Sequence, residues 1–179
     1  MRALESLDPD FAAYAAGRQR HLLGVAVLLC GDRDLAEDLV QEALVKMARH
    51  WSRLRSGAPD AYARKIIYHD SIRVWKRAAN ELVVDEVPES AAADPTEGWA
   101  ARTDVRAALQ RLAPRQRAVI VLRFYEDLSE VETARVLAVS VGTVKSQTHA
   151  ALSNLRRHLS VAATGPHPSG RPFTGGVEP

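Results

Sequence analysis

Two helix starts, Ser129 and Ser140, stand so close together that the chain between them can form little besides a tight helical hairpin. Ser129 with Glu132 is a capping box: the hydroxyl accepts from the backbone N–H of Glu132, and the carboxylate reaches back to the backbone N–H of Ser129. A helix is therefore predicted from there to about Leu137. Ser140 caps a second helix from Val141, and only Ala138 and Val139 separate the two. A connection this short is the turn of a helix-turn-helix.

At about 100° per residue, Val144, Thr148, Ala151, Leu155 and Leu159 of the second helix share one face and are expected to pack inward. The opposite face carries Gly142, Ser146, His149, Ala150 and Ser153, with Thr143 and Lys145 beside it. Groups this small let a helix backbone approach a major groove and donate to base edges or phosphates. The pattern fits a recognition helix, and it also fits the solvated face of an ordinary hairpin.

Charge is segregated along the chain more than its net value of +2 suggests. Residues 1–78 carry 13 basic and 10 acidic side chains, residues 79–101 none and 6, and residues 102–160 carry 10 and 5. Two basic blocks thus flank an acidic connector, an arrangement suited to two modules that each meet nucleic acid. The 179 residues, 46% of them apolar, suffice for one domain or two small ones. The apolar run Leu22 to Cys30 is far short of the ~20 residues of a membrane span. The mixed charges of Arg2, Glu5, Asp8 and Asp10 do not read as a signal peptide, and the single Cys30 excludes an internal disulfide, so a cytoplasmic setting without membrane insertion is expected.

Every predicted element is helical. Asp8-Pro9 starts a long helix that Gly31 closes, and Asp32 caps the next, over about Arg33 to His50. In that second helix Leu35, Ala36, Leu39, Val40, Ala43 and Met47 form the inward side, while Asp34, Glu37, Asp38, Gln41 and Glu42 gather on the other. So dense a carboxylate stripe is a metal site or a solvated face, and no phosphate cradle nearby supports the metal. Ser52 to Ala58 is polar and turn-forming, and Pro59 opens a helix to about Arg77. Here Arg64, Lys65, Arg73, Lys76 and Arg77 are interleaved with Tyr62, Tyr68, His69 and Trp75. Cations among flat rings suit single-stranded DNA, where each ring–base stack contributes ~1–3 kcal/mol; core aromatics with a basic rim are the plainer reading of Tyr62 and Trp75. From Asn80 to Ala93 the chain is acidic and alanine-rich and reads as a linker. Asp94-Pro95-Thr96-Glu97 starts a helix to about Leu112, Pro114 another to about Tyr125, and a Gly- and Pro-rich tail follows Ser160.

Val141-Gly142-Thr143-Val144-Lys145-Ser146, preceded by Leu112-Ala113-Pro114-Arg115-Gln116-Arg117 and Asp127-Leu128-Ser129, resembles the −35-reading domain of bacterial RNA polymerase sigma factors of the extracytoplasmic-function (ECF) group. The likeness is strongest to the SigE-like subgroup of actinobacteria and covers about residues 9–160. Asp34-Leu35-Ala36-Glu37-Asp38-Leu39-Val40-Gln41-Glu42 is similar to the family's helix that grips the clamp coiled coil of the polymerase β′ subunit. The helix after Pro59 and the loop before it resemble the −10 module, which melts the promoter and holds a flipped base. Two departures stand out: His69 replaces a common Asn, with Asp70 beside it, and Gln147 replaces a common Arg.

The resemblance implies an all-α chain of two small helical domains joined by a flexible acidic linker: residues 9–78 for polymerase and the −10 element, 79–94 as linker, 95–160 as the −35 helix-turn-helix, and 161–179 as tail. It implies core RNA polymerase (β′ clamp coiled coil and β flap), promoter DNA and an anti-sigma factor as partners, and no cofactor. On this reading Thr143, Lys145, Ser146 and His149 face −35 DNA, with Arg115 and Arg117 on phosphates. Arg64, Lys65, His69, Arg73, Trp75, Lys76 and Arg77 face the −10 element, and Asp38, Gln41 and Glu42 face polymerase. No histidine pair has metal-ligand spacing and no phosphate loop or nucleophile motif occurs, so no catalysis is expected. A helix-turn-helix regulator acting on operator DNA without polymerase, and a protein-binding adaptor, remain the other readings of the residues.

Overall fold

The computed structural model describes residues 8–81 and 105–163, and every regular element among them is helical. The linker expected at 79–94 is helical as far as Glu81 and otherwise lies outside the described residues, as do the Asp94 helix start and most of the tail. Helix α1 spans Pro9–Cys30, α2 Arg33–Arg49, α3 Trp51–Leu54 and α4 Pro59–Glu81. Helix α5 covers residues 105–110, α6 Pro114–Ile120, α7 Glu130–Leu137 and α8 Val141–Ala163.

The local signals act where they stand. Asp8 accepts from the N–H of Asp10, Asp32 from Leu35, and Ser140 from Thr143 at 3.0 Å. At Ser129 both halves of the capping box form, at 3.2 and 2.8 Å. Gly31 ends α1 with φ +84°, a left-handed conformation that costs glycine little. Ala138 adopts the same region, φ 54°, at the end of α7. Its Cβ makes this the sharpest local strain in the hairpin.

Three features differ from the sequence reading. The stretch after His50 is not all turn: Trp51 begins a helical turn because its ring is buried, packing edge-on to Phe11 at 5.2 Å. Helix α4 runs past Arg77 to Glu81, and α8 past Ser160 to Ala163. The helix from Pro114 reaches Tyr125 as expected, but Val121–Tyr125 is wound as a π-turn, with the N–H of Glu126 bonded to the carbonyl of Val121. Such widened turns admit an extra residue and often mark functional positions.

Helices α1, α2 and α4 pack as one cluster and α5 to α8 as another, yet the two share a core. Leu22, Val25, Met47 and Ile67 from the first lie in the same buried group as Val119, Val121, Leu122 and Val144 from the second. Each such side chain fully removed from water contributes about 1.5–3 kcal/mol. The contact runs α1 to α6 and the π-turn, and α4 to α6 and α7. At Gly24 of α1, a Cβ would come within 2.6 Å of the Tyr125 hydroxyl, so the bare backbone there admits the π-turn. A smaller core of Leu109, Leu112, Ile120 and Ala151 joins α5 and α6 to α8.

Candidate nucleic-acid interface

The hairpin α7–α8 presents its second helix to solvent. Val144 and Ala151 are fully buried and anchor α8, and the half-buried Thr148 donates to the Val144 carbonyl at 2.7 Å. Asn154 donates to Gln116 of α6 at 2.9 Å and accepts from Arg157, which fixes the far end of α8. Gly142, Thr143, Lys145, Ser146, His149 and Ser153 are exposed, and Gln147 is half-buried. Two of the polar groups are pre-oriented: the Thr143 hydroxyl lies 2.8 Å from that of Ser140, and Ser146 donates to the Thr143 carbonyl at 3.0 Å. Lys145 reaches Glu130 of α7 only at 3.7 Å, a loose pair for a side chain 64% exposed.

The two arginines at the start of α6 have opposite fates. Arg115 is exposed; Arg117 is 6% exposed and is not a phosphate contact in this arrangement. Its guanidinium donates to the carbonyls of Leu109, Leu29, Gln110 and Leu112, at 3.0, 2.6, 2.9 and 3.3 Å. Burial pushes its pKa down. A charge held among carbonyl dipoles is a buttress for the α5–α6 turn against the end of α1.

Arg64 is not free in this arrangement either: it is bonded to Glu126, a carboxylate whose side chain is wholly buried between the clusters. His21 of α1 brings Nε2 to 2.6 Å from the other oxygen of Glu126, Oε1. That oxygen has no partner of good hydrogen-bond angle, so the imidazole contact is a close ion-pair geometry and not a well-aligned bond. His21 also stacks on Tyr125 at 5.9 Å. Nothing in the sequence flags Glu126, because its burial arises from α1 and α4, distant in the chain.

The rest of the α4 strip is open. Lys65, His69, Arg73, Lys76 and Arg77 are exposed, and Trp75 is 48% exposed beside a small cleft lined by Leu29, Ile72, Pro114 and Arg117. Burial, then the neighbouring Lys65, lowers the His69 pKa against the opposing pull of Asp70. Asp70 itself turns inward and is 7% exposed. It accepts from Lys46 of α2 at 2.8 Å and from Arg73 at 2.5 Å. The acidic residue that interrupts the basic strip therefore does not stand on it. On α2, Asp34, Asp38, Gln41 and Glu42 are exposed; Glu37 is half-buried and accepts from Arg33 at 3.0 Å. Among the described residues no group of three His, Cys, Asp or Glu side chains is placed to hold a metal ion, and no helix is long and apolar enough to cross a membrane.

Residues 15–81 match the family Sigma-70 region 2 and residues 108–157 the family Sigma-70, region 4. The RNA polymerase sigma-E factor of Streptomyces coelicolor is 39% identical over 152 residues, which span 84% of this chain and 86% of that one. The sigma-E factor of Streptomyces avermitilis is 38% identical, over 84% and 85%. Among solved structures, the sigma factor RpoE of Bartonella quintana, in complex with the anti-sigma factor NepR, superposes with a TM-score of 0.71 at 26% identity, covering 86% of this chain and 99% of that one. With both halves of its fold matched in order and kinship at this level to the Streptomyces proteins, the chain belongs to the ECF group of RNA polymerase sigma factors.

Proposed function

We propose that this sigma factor divides its work between its two clusters, with residues 9–78 engaging core RNA polymerase and the −10 element, 79–94 connecting, and 95–160 reading −35 duplex DNA. The observation that carries this reading is the simultaneous exposure of the α2 ridge and of the polar face of α8, on opposite sequence halves of one chain. Asp38, Gln41 and Glu42 meet basic groups of the β′ clamp coiled coil. Thr143, Ser146 and His149 meet base edges, Lys145 and Arg115 meet phosphates, and the α4 residues Lys65, His69, Arg73, Trp75, Lys76 and Arg77 meet the melting strand. The polymerase performs the chemistry. An anti-sigma factor, the partner of the Bartonella protein, is the natural antagonist of such a chain.

This function needs the clusters to part. The two promoter elements are named for positions some 25 base pairs apart, roughly 85 Å of duplex at 3.4 Å per step. A compact body of about 150 residues is only roughly 40 Å across. Clusters that share a core cannot occupy both elements, so the described arrangement is a closed one. Arg64 becomes available to DNA only when its bond to Glu126 breaks.

Run-off transcription from a pool of upstream genomic fragments, with core polymerase and with or without this protein, tests the reading. Selective initiation that depends on the protein is expected. Tight, sequence-specific duplex binding with no effect on initiation would overturn it in favour of an operator-binding regulator.

A further inference from the structure

At the start of α8 the hydroxyls of Ser140, Thr143 and Ser146 are linked through Thr143. Ser140 Oγ accepts from the backbone N–H of Thr143 at 3.0 Å and lies 2.8 Å from the Thr143 hydroxyl, so one of that pair's two protons is held between them. Ser146 donates to the Thr143 carbonyl at 3.0 Å. A hydroxyl has a single proton and two lone pairs, and a carbonyl oxygen only accepts, so the Ser146 proton is committed to the helix. All three residues are exposed. What Ser146 turns towards solvent is therefore lone pairs and no proton.

We infer that Ser146 reads −35 DNA as a hydrogen-bond acceptor, so that its contact is the exocyclic amino group of an adenine or a cytosine in the major groove. The inference rests on the role proposed above for α8 and adds the chemistry of the group that is read. Thymine O4, guanine O6 and the purine N7 atoms all accept, as do phosphate oxygens; only adenine N6 and cytosine N4 donate into the major groove. To donate outward, the Ser146 O–H would have to leave the Thr143 carbonyl, exchanging one bond for another. Accepting keeps that bond, and a donor placed at Oγ polarises the O–H and strengthens it. The gain lies with the acceptor role. Donation from the same face falls to Lys145, an ammonium that cannot accept, 64% exposed and only loosely paired with Glu130 at 3.7 Å. Two residues adjacent in sequence thereby ask for opposite groups, one a base amino group and the other a phosphate.

The test is a double-mutant cycle on holoenzyme, core polymerase carrying the wild-type or the Ser146→Ala chain, with a promoter duplex recovered in the run-off experiment. Competition binding is measured on duplexes in which each −35 adenine is replaced by purine and each cytosine by 2-pyrimidinone, which removes the exocyclic amino group. A second set replaces each purine by its 7-deaza form, which removes an acceptor. Any weakening of the base pair itself is common to both chains and cancels in the cycle. At one position, loss of the amino group is expected to weaken wild-type binding about five- to tenfold, the scale of a single base hydrogen bond. Ser146→Ala should lose about as much on the unmodified duplex and nothing further on the amino-free one, while the 7-deaza duplexes affect both chains alike. Because Ser146 is exposed and alanine favours a helix, the variant keeps its fold. Coupling to a 7-deaza position, no coupling at any amino group, or an equal loss on every duplex with a flatter salt dependence would overturn the inference, the last marking a phosphate contact. Failure of the underlying reading is distinguishable: Lys145→Met and Ser146→Ala would then both bind every duplex like the wild type.

Discussion

The seam between the two helical clusters and the open face of α8 are both furnished with polar side chains, and the two handle them in opposite ways. At the seam, Arg117 spends its whole guanidinium on carbonyls and Glu126 lies wholly out of water against Arg64 and His21. On α8, the hydroxyls of Thr143 and Ser146 are steadied by single local bonds and Lys145 is only loosely paired. Desolvated charge is costly unless partnered, so Arg117 and the Arg64-bonded oxygen of Glu126 are held fast, while the other Glu126 oxygen has only the poorly angled His21 contact. Solvated charge is cheap to redirect, so the α8 groups remain free for a ligand. Residues two apart in sequence, Arg115 and Arg117, fall on either side of this divide.

The contrast is most exposed at Arg117. Replacing it with Met leaves the carbonyls of Leu29, Leu109, Gln110 and Leu112 without their donor and is expected to cost about 3–5 kcal/mol in urea unfolding. A loss below about 1 kcal/mol, with weaker DNA binding, would return Arg117 to the surface set. On α8 the expectation is reversed. Ser146→Ala should leave stability almost unchanged but shift −35 base preference by ~1–3 kcal/mol at one position, while Lys145→Met should weaken binding to all sequences and flatten the salt dependence by about one unit. Equal losses on every sequence for both variants would show that α8 only holds the backbone.

Between the two regions lies the hairpin turn, where Ala138 sits at φ 54°. Ala138→Gly should relieve the Cβ clash and raise stability by about 1 kcal/mol, read as a higher melting temperature with the same DNA preference. The smallest effect is expected at His69, whose folded pKa is lowered. A lowered value means the unfolded chain takes up the proton first, so this residue's contribution is whole above the ordinary histidine pKa and declines as pH falls through that value towards the folded one. His69→Gln should make the acid side of the stability profile slightly flatter; an unchanged profile would mean that the imidazole is as free as its exposure suggests.

Much of the local architecture could be read from the chain alone. The caps at Asp8, Asp32, Ser129 and Ser140, the stop at Gly31 and the two faces of α2 and α8 depend on residues within a few positions of one another, and short-range hydrogen bonding and helical periodicity settle them. The polar face of α8 was legible for that reason. Trp51 was not, since its helical turn exists to bury a ring against Phe11, forty residues earlier. Ala138 was placed in the turn correctly, but its left-handed conformation follows from how α7 and α8 meet.

Which charges are available for function is a different kind of question, and only the packed molecule answers it. Arg64 and Lys65 are indistinguishable as neighbours on a basic helix; one is bonded to Glu126, which the second cluster brings against it, and the other stands in solvent. Asp70 likewise changes from an anomaly on a DNA strip to the inward partner of Lys46 and Arg73 once α2 is laid beside α4. Helix ends and faces are set by neighbours along the backbone, whereas desolvation is set by whatever the fold brings from far along it, and it is desolvation that decides whether a charge supports the structure or serves a partner.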